Sequence, residues 1–200
     1  MKRMNTEEGF TGLEAAIVLI AFVVVAAVFS YVVLGAGFFT TQKAQEVVYT
    51  SVDQASSSVE ILGQVYGFGH DDGAGGYDGV EAVQFKVGLT AGGSPVDFSM
   101  TTLTLSTDEE VYKLERHGTS KVGKGVIEPE EWGVIEIFNS NAEDLLLENQ
   151  EQFVILAKTK NDDWLVANQP FNLEIRPSVG ASYAISRKIT PSINAVNVLN

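Results

Sequence analysis

The sequence predicts an α+β protein, a long N-terminal hydrophobic helix followed by an antiparallel β-sandwich of immunoglobulin-like architecture. Three observations carry that prediction. An apolar run from Ala15 to Phe39 contains no charged residue, a three- and four-residue apolar spacing continues beyond it, and past Gly79 the spacing shortens to strict alternation. The apolar residues of this 200-residue chain are therefore concentrated at one end. That asymmetry describes an anchor plus a soluble domain. A net charge of −13 repels phosphate backbones, so nucleic acid is excluded as a partner. Absence of cysteine removes disulfides, thiolate metal sites and cysteine nucleophiles.

The first element rests on length. The stretch AAIVLIAFVVVAAVFSYVVLGAGFF has no proline, and about 20 helical residues cross the hydrocarbon core of a bilayer. It reads as a transmembrane helix, with Lys2 and Arg3 holding the N-terminus in the cytoplasm. An ordinary secretory signal is the competing reading, with Gly35-Ala36-Gly37 as a small-residue cleavage stretch, but its apolar region would be only roughly 7–15 residues. Ala44, Val48, Val52, Ala55, Val59 and Leu62 then form a narrow helical stripe. One continuous helix is expected from about Leu13 to Leu62, with Gly63 as its C-cap. Such a helix spans roughly 75 Å. A small domain cannot cover that length, so the helix needs neighbours. Gly35 and Gly37 suit either close helix approach or a local bend.

The second element follows a Gly- and Asp-rich linker, read as residues 65–79 and including the run GFGHDDGAGGYDG. Strand-like alternation appears at Val83–Leu89, Val96–Met100, Leu103–Leu105, Val134–Phe138, Phe153–Ala157, Phe171–Ile175 and Tyr183–Ile189. Seven or eight such strands over residues 80–200 have the size of an immunoglobulin-like sandwich. Trp132 and Trp164 are assigned to its core or inter-sheet space.

Little in the sequence points to chemistry. His70 and His117 lie outside any HExxH pattern, and no GxSxG occurs, so both are expected as exposed loop residues. A cluster of Asp71, Asp72, Asp78 and Glu81 beside His70 offers oxygen ligands on a Gly-rich loop, the requirement for a structural calcium ion. Its spacing is not that of an EF-hand, and solvated loop acids explain it equally. Asp108, Glu109 and Glu110 form a second such group. Gly67-Phe68-Gly69 and Gly123-Lys124-Gly125 lack the strand-then-helix setting of a nucleotide fingerprint and read as turns. No cofactor and no enzymatic activity are expected. There is no Asn-x-Ser/Thr sequon, and O-linked sugars stay open.

The segment Gly9-Phe10-Thr11-Gly12-Leu13-Glu14 and the apolar run after it resemble a class III signal-peptide junction of the type IV pilin superfamily. Over residues 9–60 the wording resembles archaellins, the archaeal flagellins. The C-terminal FNLEIRPSVGASYAISRKITP is similar to the closing strands of their outer domain. The resemblance implies a signal peptide over residues 1–9 and a core helix over 10–64. It implies a cut between Gly9 and Phe10 by a membrane-embedded prepilin-type peptidase. It further implies self-assembly into an extracellular motility filament, with the precursor in the cytoplasmic membrane. Glu14, near the new amino group of Phe10, would neutralise that amine within or between subunits, or serve simply as a helix-start acid. Because Glu14 is a hallmark of type IV pilins, an adhesive pilin is the alternative. A membrane-anchored extracellular binding domain is a second.

Overall fold

The computed structural model describes residues 6–140, 144–161 and 163–199, with side chains described except at 6–11, 53, 55 and 56. It divides into two units, one up to Thr50 and one from Ser51.

The first unit is helical. Helix α1 runs Thr6–Ser56, 51 residues without a break, about 75 Å at 1.5 Å per residue. It begins before the expected Leu13 and stops short of the expected Leu62. The stop has a local cause. Ser56, Ser57 and Ser58 bond readily to main chain outside helices, and the carbonyls of Ser57 and Ser58 are taken by Ala181 N (3.2 Å) and Thr90 N (3.2 Å). Val59 and Leu62, placed on the helical stripe, belong instead to the sheet: Val59 is buried in strand β1 (Val59–Ile61), and Leu62 N donates to Lys86 O at 2.8 Å. Gly63 has φ +83°, as expected of a cap, but it turns the chain out of β1 rather than ending α1.

The second unit is built on β2 (Val65–Asp71), β3 (Tyr77–Leu89), β4 (Val96–Asp97), β5 (Thr102–Thr107), β6 (Val111–Arg116) and β7 (Glu131–Phe138). The remaining strands are β8 (Leu146–Leu147), β9 (Gln152–Lys158), β10 (Pro170–Arg176), β11 (Tyr183–Lys188) and β12 (Val196–Leu199). The main ladder reads β11-β10-β5-β6-β7-β9-β3-β2-β12, with β1 also on β3, and β4 pairs β8 separately. All pairings are antiparallel except β6–β7. This is more strands than the expected seven or eight. The segment read as a linker is in fact the β2–β3 hairpin. The expected strand Val96–Met100 also ends early, because Asp97 Oδ1 accepts from Ser99 N (2.8 Å) and starts a short 3₁₀ turn.

The ladder folds over so that both halves feed one core. From β3 and β9 come the cross-strand pairs Phe85–Ile155 and Val87–Phe153; from β5 and β10 come Leu103–Ile175 and Leu105–Leu173. All eight side chains are buried in a single cluster, each contributing roughly 1.5–3 kcal/mol. Phe98 meets Phe153 edge-on at 5.5 Å, and Trp132 is buried as expected. A bulge in β7 between Val134 and Glu136 leaves Ile135 as an extra residue, so that Ile135 and Glu136 share the outer face. Val134 enters this core, while Ile135 joins a second cluster with Val122 and Ile127 on the outer face.

Candidate assembly surface

The largest unsatisfied feature is the surface of α1. From Leu13 to Phe39 every Leu, Ile, Val, Phe and Tyr is more than half exposed, up to 79% at Tyr31. A helix that is hydrophobic on every side is stable only in lipid or inside an assembly. Covering these side chains is worth on the order of tens of kcal/mol. The stretch Gly12–Val52 is long and apolar enough to cross a membrane. Near its polar end Thr40 and Thr41 hydroxyls donate to Ala36 O (2.8 Å) and Gly37 O (2.9 Å). These bonds hide two polar groups on the helix itself. Helical backbone continues through Gly35 and Gly37 without interruption.

Of the residues singled out for processing and assembly, Gly9 and Phe10 fall within helical backbone, but their side chains lie outside the described residues. Glu14 stands exposed on α1.

The carboxylates considered for a metal ion are not drawn together. Among the described residues no group of three His, Asp or Glu could hold one. Asp71 Oδ1 accepts from Gly73 N (2.9 Å), and Asp72 Oδ1 from Ala74 N (2.7 Å) and Gly76 N (2.9 Å). The amides of Gly76 and Ala74 hold the Asp72 carboxyl below the usual carboxylate range. These acids shape the hairpin turn. Asp78 is exposed, and Glu81 lies 3.5 Å from His70 Nδ1. In the second acidic group, Asp108 accepts from Gln169 (3.1 Å) and Glu110 pairs Lys160 (3.2 Å).

Neither histidine is the exposed loop residue expected. His70 lies in β2 and stacks on Trp164, with ring centroids 3.7 Å apart and planes 12° apart. Trp164 therefore lies at the surface against His70, half-buried, rather than in the core. Half-buried His117 bonds Glu131 Oε2 through Nδ1 at 3.1 Å. That bond, with the amide of Glu128 at 3.2 Å, holds Glu131 below its ordinary value. A concavity of about 540 Å³ includes Ser186, whose hydroxyl donates to Asn172 Oδ1 (3.1 Å) rather than to a base.

What the chain offers is thus an apolar rod and a closed β-domain. A family model described as archaeal-type flagellin matches residues 9–187. The chain belongs to the archaeal-type flagellin family. It is 40% identical over 204 residues to probable flagellin 1 of Archaeoglobus fulgidus, covering 100% of this chain and 98% of that protein. It is 42% identical over 200 residues to probable flagellin 2 of the same organism, covering 96% and 94%. In three dimensions it resembles the archaeal flagellum of Methanospirillum hungatei, with a TM-score of 0.71 at 34% identity, covering 94% of this chain and 99% of that one. The crystal structure of a Methanocaldococcus jannaschii flagellin shares the fold, with a TM-score of 0.56 at 16% identity, covering 70% and 95%.

This flagellin is a structural, non-enzymatic subunit of the archaellum, an extracellular surface filament that is a polymer of such chains. The adhesive-pilin and anchored-domain alternatives are not favoured.

Proposed function

We propose that this flagellin is made as a membrane precursor and polymerises through α1 after residues 1–9 are removed. A prepilin-type aspartyl peptidase cuts between Gly9 and Phe10, and Glu14 then neutralises the new amino group of Phe10. Before assembly α1 sits in the cytoplasmic membrane with the β-domain outside, and copies bundle their helices as they leave lipid. Water never has to wet the rod in this sequence of events, because protein contacts replace lipid contacts directly.

The observation that supports the reading is the all-round exposure of apolar side chains from Leu13 to Phe39. Mass spectrometry of the N-terminal peptide from filaments sheared off intact cells tests it. A mature end at Phe10 is expected. A chain that stays with the membrane and begins at Met1 refutes it.

A further inference from the structure

One concavity on the outer face of the sheet gathers polar side chains that the domain itself leaves unmatched. It measures about 320 Å³, and its lining includes Gln64, Tyr66, Gln84, Lys86, Glu136 and Phe138. Among the described residues, the side chains of Gln64, Tyr66, Gln84, Lys86 and Glu136 make no hydrogen bond or ion pair. Lys86 and Glu136 share the hollow without meeting. Val154 of β9 is the register partner of both, which sets their backbones two strand spacings, about 10 Å, apart. Lys86 Nζ lies instead 4.5 Å from the Phe138 ring centroid. A donor cation and an acceptor anion thus stand on either side of an apolar floor.

These groups set three requirements for an occupant. One cation and one anion leave the hollow without net charge, so a neutral ligand matches it. Lys86 only donates and Glu136 only accepts, while Gln64, Gln84 and Tyr66 do both, so the ligand's polar groups must both accept and donate. Hydroxyl groups meet that condition. The Gln84 side-chain oxygen is buried with no partner, so its amide is uncommitted, and rotation about its last side-chain bond turns a polar atom toward a ligand. Finally, Tyr66 and Phe138 stay 36% and 40% exposed, and open aromatic surface is covered best by an apolar face. A pyranose ring combines such a C–H face with a rim of hydroxyls. A volume of about 320 Å³ lies at the small end for ligand sites and has room for one or two rings.

We propose that this concavity binds a neutral saccharide of one or two pyranose rings, its C–H face against Tyr66 and Phe138 and its hydroxyls between Lys86 and Glu136. Lys86 donates to one hydroxyl, Glu136 accepts from another, and the Gln64 and Gln84 amides bond those between. The site goes beyond filament building. In a polymer of such chains it repeats once per copy, so weak single-site binding compounds on a polysaccharide through multivalency.

The test is saturation-transfer NMR on the full-length chain in a detergent without sugar head groups, so it does not depend on filament formation. The probes are D-glucose, D-galactose, D-mannose and N-acetyl-D-glucosamine, with phenylalanine as a zwitterion of similar size. At least one sugar is expected to bind, with the strongest transfer to its ring C–H protons. Tyr66→Ala and Phe138→Ala should each weaken that binding about tenfold. Both side chains are partly exposed, and an unchanged near-ultraviolet circular dichroism spectrum confirms the fold. Glu136→Gln, isosteric and on an exposed residue, should weaken binding severalfold, because a charged acceptor becomes a neutral one. Binding by no sugar, binding that survives all three variants, an equal loss in Tyr183→Ala on β11, or phenylalanine binding in place of sugar overturns the proposal. Sheared filaments then identify the source. Uptake by filaments as isolated points to a polysaccharide outside them, and uptake only after removal of O-linked sugars points to glycan on a neighbouring copy.

Discussion

Gly180→Ala is expected to be among the most damaging single-atom-scale changes to the outer domain. Gly180 adopts φ +107°, outside the range L-residues occupy comfortably. Holding alanine there costs about 1–3 kcal/mol of backbone strain. Added to this is a collision. A Cβ at Gly180 falls inside the van der Waals contact of the Ser57 carbonyl oxygen and lies 2.9 Å from Ser57 Cβ. Both neighbours are held, since Ser57 O accepts from Ala181 N. Relieving the overlap means moving main chain, a further cost of about 1–3 kcal/mol. The total is roughly 2–6 kcal/mol, or about 5–20 °C in Tm for a unit of this size. Near-ultraviolet circular dichroism of the detergent-solubilised full chain, followed on heating, reads it through the two tryptophans. A midpoint within about 2 °C of the unmodified protein would refute the reasoning.

Other outcomes follow from the same structure. Asn197→Ala removes a buried amide that donates to Asn194 O (2.7 Å) and Gly67 O (3.3 Å) and accepts from Asn194 N (2.8 Å); it should cost about 2–3 kcal/mol, seen as faster amide hydrogen exchange in β2 and β12. Because the His117 hydrogen bond, then the Glu128 amide, depress the folded Glu131 value, its stabilisation is full above the unfolded value near 4.5 and fades as pH falls through the lowered folded value. Glu131→Gln should therefore flatten the acid limb of stability against pH below about 4.5, measured by urea midpoints across that range. Val24→Lys places a charge mid-rod, where 55% of valine is exposed for contact; filament yield in sheared fractions should fall to background, since an unpaired ammonium in an apolar bundle is costly.

The rod was legible because its evidence is contiguous: a run without charge can be read in one pass. Its end was not, because Val59 and Leu62 keep helical spacing by accident while serving the sheet. Strands with clean alternation, such as Val83–Leu89, were equally plain. The β2–β3 hairpin was misread for a specific reason. Its glycines signal a linker by composition, yet they stand where main chain must approach closely. A Cβ on Gly69 would lie 2.5 Å from Asn194 O and 2.8 Å from Tyr77 Cδ1, and one on Gly79 would lie 2.5 Å from Trp164 Cβ. Strand β6 hides its inward Tyr112 and Leu114 among charges. Neither the His70–Trp164 stack nor the unmatched Gln84 could be foreseen, since each depends on partners brought together only by the ladder.

Strand β12 pairs with β2, matching Leu199 to Val65, and Asn197 bonds Gly67 across 130 residues. One of the first strands of the outer domain thus completes its pairing with the last. Folding cannot finish as the chain emerges; it waits for the final strand to be delivered, and such distant pairing is slow. Until then β2 is an open edge, the kind that pairs with the wrong chain. The outer domain is in this sense an all-or-nothing object. A chain completed only as far as residue 190 still has an unsealed sheet, and two such copies side by side are where mispairing would begin.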